Sequence, residues 1–149
     1  MDPRSLTNEF KEFLKCLNAR EVDYLVIGGH AVAFHGYPRT TNDLDVWVAV
    51  NALNASRLQA ALSDFGFAGT ELPPELFLKP NQVIRMGLPP NRIEIQTGID
   101  GVQFSNCSPR AVTTDLEGLK LRFIALEDLK KNKRASGRYK DLADLEELP

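Results

Sequence analysis

The sequence is poor in several residue types whose abundance would identify a protein class. Its 149 residues include two cysteines, two histidines and one tryptophan. Cys16 and Cys107 are too few for a disulfide scaffold or a cysteine-rich zinc site, so we predict reduced thiols in a cytoplasmic protein. No apolar run approaches the roughly 18 residues of a membrane span, and the polar start of the chain does not read as a signal peptide. We therefore expect no association with a membrane.

The chain also has no large net charge of either sign. The formal net charge is −2, and 26% of the residues are charged. The global positive field of a duplex-DNA-binding protein is therefore absent. The chain is 43% hydrophobic, which is typical of a globular protein. Its length suits one domain over residues 1–149, with a core at about 22–97 and a helical segment at about 125–148.

Positive charge is concentrated in one short segment near the C-terminus. Between Lys130 and Lys140 there are six basic residues and no acid. One interpretation is a cationic arm that neutralises a triphosphate or an RNA backbone. The other is a solvated helix face that complements a helix C-terminus near Gly137. The segment alone does not decide between them.

Hydrophobic periodicity predicts a mixture of helices and strands. Helices are predicted at 6–17, 30–35, 55–65, 126–136 and from 137 to the C-terminus. Strands are predicted at 24–27, 43–50, 83–86, 92–97, 111–114 and 119–124. We interpret 69–80 as a surface loop and 98–110 as irregular. This pattern predicts an α/β (α+β) fold.

Two adjacent glycines follow the first predicted strand. Gly28 and Gly29 allow a sharp turn and let a ligand approach the backbone closely. They also leave the first amides of the next helix unpaired, which suits a phosphate-sized anion. The alternative interpretation is a plain turn between a strand and a helix.

Two aspartates lie two residues apart on the next predicted strand. At this spacing Asp43 and Asp45 point to the same face, with Cα atoms about 6.5–7 Å apart. Such a pair can hold one or two Mg²⁺ ions, which prefer carboxylate and phosphate oxygens and can clamp the oxygens of a phosphoryl transfer. The alternative is the exposed face of an edge strand. Trp47 projects on the same face, where it either touches a nucleobase or, as we favour, packs.

A third carboxylate lies on a later strand. Ile93 and Ile95 alternate with polar neighbours, so Glu94 leaves its strand on the non-core face. If that strand lies beside Asp43, Glu94 becomes a third carboxylate at the metal site or a base for an attacking hydroxyl. Otherwise Glu94 is a solvated charge or a partner for Arg92.

Together these pieces resemble the signature of the DNA polymerase β-like nucleotidyltransferase superfamily. The signature comprises Ile27-Gly28-Gly29, then Asp43-Leu44-Asp45-Val46, then Glu94. The stretches GGHAVAFHG at 28–36 and RTTNDLD at 39–45 are similar to the AbiEii-type branch, which includes nucleotidyltransferase toxins. The stretch KKNKRASGRYKDLADL at 130–145 is similar to the C-terminal motif of that branch. The resemblance covers about residues 22–148.

The resemblance implies a fold, an activity and a set of site residues. The fold would be a small mixed sheet with helices packed mainly on one face and the metal site at the other. The activity would be Mg²⁺- or Mn²⁺-dependent transfer of a nucleoside monophosphate from a nucleoside triphosphate to a hydroxyl. Asp43, Asp45 and Glu94 would bind the metal and act in catalysis. The nucleotide-binding residues would be Gly28, Gly29, Arg39, Thr40 and Lys133.

The acceptor and the partners stay open at this stage. RNA, a protein side chain and a small molecule all offer hydroxyls, and the resemblance also implies a toxin–antitoxin context with an antitoxin-type partner. An oligomer is compatible with the sequence. The alternative function is a non-catalytic nucleotide- or protein-binding regulator on the same fold. Three converging carboxylates argue for the enzyme, because they repel one another without a cation.

Overall fold

Helices and strands alternate along the chain, of which residues 6–66 and 73–149 are described in a computed structural model. The helices are α1 (Asn8–Ala19), α2 (Gly28–Phe34), α3 (Ala52–Phe65), α4 (Phe104–Cys107), α5 (Leu126–Ser136) and α6 (Tyr139–Glu147). The strands are β1 (Tyr24–Ile27), β2 (Asp43–Val48), β3 (Val83–Met86), β4 (Arg92–Gln96), β5 (Val112–Leu116) and β6 (Leu119–Phe123). The predicted α/β class is confirmed.

The strands form a mixed sheet in the order β3–β4–β2–β1–β6–β5. β2 runs parallel to β4 and antiparallel to β1, and β1 runs parallel to β6. The outer pairs β3/β4 and β5/β6 are antiparallel. This order places β2 between β1, which ends just before Gly28, and β4, which carries Glu94. The elements that hold the predicted site residues are therefore neighbours.

Alternation along the strands separates an apolar face from a polar face. Successive side chains point to opposite faces of a sheet, and in β2 and β4 the apolar set is fully buried: Leu44, Val46, Val48, Ile93 and Ile95. Helices α1, α2 and α3 complete this core, mainly through Phe10, Phe13, Leu14, Leu17, Val32, Leu58 and Leu62. The polar set, which includes Asp43, Asp45 and Glu94, is left on the opposite face.

Capping residues explain where the main helices begin and end. The Thr7 side chain accepts a hydrogen bond from the amide of Phe10 at 3.2 Å, and α1 starts there. The side chain of Asn51 accepts from the amide of Asn54 at 2.8 Å, so α3 begins three residues before the predicted start. Such caps satisfy backbone donors that have no partner inside the helix. Gly137, in the left-handed conformation, ends α5.

The structure corrects several predictions. The segment 98–110 is not wholly irregular, because it contains α4 and a 3₁₀ turn at Ser108–Arg110. The predicted loop 69–80 contains a 3₁₀ turn at Pro74–Leu78 that buries Phe77, while 69–72 lie outside the described residues. Strand β2 ends at Val48 instead of residue 50. Helical turns of three to five residues are too short for the helical period of 3.6 residues to be recognised.

No helix within residues 6–66 and 73–149 is long and apolar enough to cross a membrane.

Candidate active site

Two of the three predicted carboxylates meet on the polar face of the sheet. In the parallel pairing of β2 with β4, Asp45 lies directly opposite Glu94, and Asp43 lies opposite Arg92. Asp45 and Glu94 are therefore cross-strand neighbours on the polar face, and Glu94 contributes to a raised pKa of Asp45. Strand β4, which carries Glu94, therefore lies beside β2, which carries the aspartates, as the predicted three-carboxylate site requires.

The carboxyl group of Asp45 is held in an unfavourable environment. Burial, the hydrogen bond to Glu94 and the negative charges of Glu94 and Asp43 raise the pKa of Asp45 to about 7. The cation of Lys140 opposes this shift. Two acidic groups in a space with little solvent disfavour full ionisation of both. A positive ligand placed between them would relieve that cost.

Gly28 brings the backbone directly against Asp45. Its φ of +67° is a left-handed conformation that side chains disfavour. A Cβ atom built on Gly28 would overlap Oδ2 of Asp45. Glycine at this position is therefore required both by the turn between β1 and α2 and by the approach of the carboxylate.

Two arginines pair with the other carboxylates. Arg92 binds Asp43 through two bonds, Nε to Oδ1 at 3.1 Å and Nη2 to Oδ2 at 2.9 Å. Arg85 donates from Nε to Oε1 of Glu94 at 2.8 Å. Among the described residues, no group of three or more His, Cys, Asp or Glu side chains is arranged to hold a metal ion. The structure therefore brings Asp45 and Glu94 together, with Asp43 and Glu94 each paired to an arginine.

A cavity of about 600 Å³ opens beside these groups. Gly28 and the three carboxylates line it from the sheet, and α5, α6 and the turn between them contribute Lys133, Arg138 and Lys140. The cavity thus combines acidic and basic groups, and both the sheet and the helices contribute to each kind. Such a lining can accommodate a ligand that carries both a cation and anionic oxygens.

Lys133 and Arg39 meet at one aspartate. The Nζ atom of Lys133 lies 3.1 Å from Asp141 Oδ1 and 3.0 Å from Asp144 Oδ2. Arg39 binds the same Asp144 with two bonds, of 2.8 and 2.9 Å. The charges of both cations are balanced inside the protein. Lys133 still lines the cavity, whereas Arg39 is not part of its described lining.

The remaining predicted nucleotide-binding residues, Gly29 and Thr40, are not part of the described lining of the cavity. Gly29 packs against Thr41, where an added Cβ would come within 2.7 Å of the Thr41 side chain. Thr40 is exposed, and its carbonyl oxygen accepts a 3.3 Å hydrogen bond from Arg39. Close packing against Thr41 therefore explains glycine at position 29 without a bound nucleotide.

Sequence reasoning missed four basic residues of the site. Arg138 and Lys140 belong to the cationic segment, but only Lys133 of that segment was predicted to bind nucleotide. Arg85 and Arg92 line the cavity, and Arg92 was expected, if anything, to pair with Glu94. A signal existed: arginines that alternate with apolar residues on β3 and β4 must point to the polar face.

No family model matches the sequence, and no curated protein matches it either. Two solved structures are similar in fold. A Thermotoga maritima protein, provisionally named a nucleotidyltransferase, is 16% identical with a TM-score of 0.60, over 93% of this chain and 88% of that one. An antigenic nucleotidyltransferase-like protein from Paracoccidioides brasiliensis is 17% identical with a TM-score of 0.52, over 91% of this chain and 71% of that one. The fold is therefore nucleotidyltransferase-like.

Proposed function

We propose that this chain is a nucleotidyltransferase, which moves a nucleoside monophosphate from a nucleoside triphosphate to an acceptor hydroxyl. The observation that carries the proposal is the cross-strand placement of Asp45 beside Glu94, with Asp45 packed against the side-chain-free backbone of Gly28. The cavity at that point also contains cations that suit phosphate oxygens. The nucleotidyltransferase-like fold supports the same activity.

The residues fit a divalent cation such as Mg²⁺ or Mn²⁺. Asp45 and Glu94 offer hard oxygen ligands, which these ions prefer. Burial and the nearby negative charges raise the pKa of Asp45 to about 7, and a bound cation would offset this cost of ionising the carboxyl group. Asp43 would join them after leaving Arg92. When bound, the ion would stabilise the negative charge that develops on the phosphoryl oxygens.

The other residues of the cavity would position the substrates. Lys140 and Arg138 would offset the charge of the triphosphate, with Lys133 behind them. The acceptor oxygen would bond to the α-phosphorus, the bond from that phosphorus to the leaving pyrophosphate would break, and Glu94 would accept the hydroxyl proton. Positioning and electrostatics carry most of such a reaction.

The narrower assignment is to the AbiEii-type branch. It is supported by the motifs at 28–45 and 130–145, whose residues Gly28, Asp45, Lys133 and Lys140 line one cavity. On this assignment the acceptor is an RNA, a protein or a small molecule, and the context is a toxin–antitoxin pair.

A transfer assay with a single amide substitution tests the proposal. The full chain is incubated with Mg²⁺ and α-labelled ATP, CTP, GTP or UTP, together with cellular RNA and protein, and label transfer and pyrophosphate are measured. Asp45→Asn keeps the shape of the side chain and removes its charge, so we expect transfer to fall roughly a hundredfold or more. The variant should fold at least as stably as the parent, since a repulsive contact is removed.

The matched control is Asp115→Asn, which alters an exposed aspartate of β5 outside the described lining of this cavity. It should keep full transfer. Full transfer by the Asp45→Asn variant would contradict the proposed mechanism.

A second candidate function is a nucleotide-binding regulator without catalysis. The ion pairs of Arg92 with Asp43 and of Arg85 with Glu94 favour it, because they occupy two of the three carboxylates. Calorimetry with Mg²⁺ and each triphosphate separates the two functions. Binding with neither pyrophosphate nor label transfer would identify the regulator.

A further inference from the structure

A second cavity, of about 850 Å³, adjoins the first on the same side of the sheet. Asn81, Gly98 and Ile99 line both cavities. A Cβ on Gly98 would overlap the side-chain oxygen of Asn81, so glycine lets that amide lie at the junction. The space beside the carboxylates therefore continues into a second compartment.

The second cavity has a different chemical character from the first. Its apolar surfaces come from Trp47, Ile99, Val102 and Phe104, and uncharged amide and hydroxyl side chains lie among them. Its charged groups, Asp23 and Arg122, bind each other at 2.9 Å. The walls thus suit a neutral ring with polar edges better than a phosphate.

Trp47 belongs to the described lining of the second cavity and not to that of the first, and the residue is 1% exposed. It lies two residues after Asp45 on β2 and opposite Gln96 of β4, so it shares the polar face with the carboxylates. Its ring packs edge-on against Phe104, with the centroids 5.2 Å apart. The indole Nε1 is buried and has no hydrogen-bond partner among the described residues. Buried donors are rarely left unpaired, so a ligand acceptor is the natural partner for this one.

We propose that the second cavity binds a nucleobase, in contact with Trp47 and Phe104. Bases held outside a duplex are recognised by packing between aromatic or apolar side chains and by hydrogen bonds to their edges. Trp47 Nε1 would donate to a ring nitrogen or carbonyl oxygen of the base, and the amides of Asn81 and Gln103 would reach its edge. This inference rests on the proposed function, since a nucleotide at the carboxylates would bring a base within reach.

The base has two possible sources with the same chemistry. It belongs either to the nucleoside triphosphate or to a nucleotide acceptor such as an RNA end. If the triphosphate supplies it, a saturating non-hydrolysable ATP analogue will prevent adenosine from binding. If the acceptor supplies it, adenosine will bind in addition to the analogue.

Intrinsic fluorescence tests the proposal without any substitution, because Trp47 is the one tryptophan of the chain. The full chain is titrated with adenosine, cytidine, guanosine and uridine, then with ATP and with tripolyphosphate in the presence of Mg²⁺. We expect at least one nucleoside to change the emission saturably, and ATP to do the same where the triphosphate supplies the base. Tripolyphosphate should bind, as measured by calorimetry, with no such change.

Trp47→Phe removes Nε1 and keeps an aromatic ring. Its affinity for the nucleoside, measured by calorimetry, should fall about tenfold, as expected for one hydrogen bond, while tripolyphosphate binding is unchanged. Phe13→Leu, a buried aromatic change that lines neither cavity, should leave both affinities unchanged.

The two proposals fail in different ways. If ATP and tripolyphosphate bind but no nucleoside changes the Trp47 emission, the base site is wrong and the nucleotidyltransferase survives. If tripolyphosphate changes the emission as much as ATP does, the base site is also wrong. If neither ATP nor tripolyphosphate binds, both proposals fall.

Discussion

Two constraints act on Gly28 at once. Its φ of +67° disfavours any side chain, and the carboxylate of Asp45 fills the space where a Cβ would lie. Gly118 shares only the first constraint: its φ is +82°, but an added Cβ would meet nothing within 4 Å. A comparison of substitutions at Gly28 and Gly118 therefore distinguishes the effect of backbone strain from the effect of displacing Asp45.

Alanine at Gly28 should damage the site as well as the fold. We expect Gly28→Ala and Gly118→Ala each to lose about 1–2 kcal/mol of unfolding free energy, measured by urea unfolding, because both force a side chain into a left-handed conformation. Only Gly28→Ala should also lose nucleotidyl transfer, by roughly a hundredfold, because it displaces Asp45. Unchanged transfer in Gly28→Ala would show that the close approach does not matter.

At the scale of elements, buried charge joins α5, α6 and the segment before β2. Lys133 of α5 and Arg39 both bind Asp144 of α6, whose side chain is 3% exposed. The same helix α6 carries Lys140, which lines the cavity with Asp45. An exposed pair, Arg20 with Asp64, has the same two-bond geometry, with Asp64 39% exposed. The two pairs differ mainly in burial.

Removal of Asp144 should therefore cost far more than removal of Asp64. Asp144→Ala leaves Arg39 without its carboxylate partner and Lys133 with Asp141 alone in a buried site, and we expect a loss of about 3–5 kcal/mol. Asp64→Ala should lose less than about 1 kcal/mol, because water screens the exposed pair. Thermal or urea unfolding of both variants measures the difference. Equal losses would mean that the network adds nothing specific to the docking of α6.

For the whole molecule, the same network makes stability depend on pH. Burial opposes ionisation of Asp141, but hydrogen bonds from Arg138, Ser136 and Lys133 lower its pKa to about 2 from 3.8. The pKa of Asp144 is also lowered, since the bonds from Arg39 and Lys133 outweigh burial. A carboxyl group whose pKa is lower in the folded state stabilises that state whenever it is ionised.

Acid should therefore weaken the fold in a defined window. The contribution of Asp141, about 2 kcal/mol, is fully present above about pH 4 and is lost as the pH falls through about 2. Urea unfolding between about pH 2 and 6 measures it. Asp141→Asn should be less stable at the upper end and should lose less on acidification. A variant whose stability falls as steeply as that of the parent would contradict this origin.

Most helices and strands could be predicted from patterns within the sequence. The core faces of α1, β2 and β4 were predicted because apolar spacing is encoded within a few residues. The polar-face placement of Asp45 and of Glu94 was also predictable, because a strand fixes which side chains share a face, whereas the neighbouring positions of β2 and β4 were left as a condition that the structure meets. The catalytic and nucleotide-binding roles of these residues stay predictions.

The ion-pair partners of the charged groups could not be predicted, because they depend on contacts between distant segments of the chain. Asp43 pairs with Arg92 because β2 lies in register with β4, and Arg39 reaches Asp144 across 105 positions of the chain. The second cavity, and the unpaired Nε1 of Trp47 beside it, depend on the position of α4. That helix is too short for its periodicity to be recognised in the sequence. Local patterns set which face a side chain takes, whereas register and packing between distant segments set what it meets there.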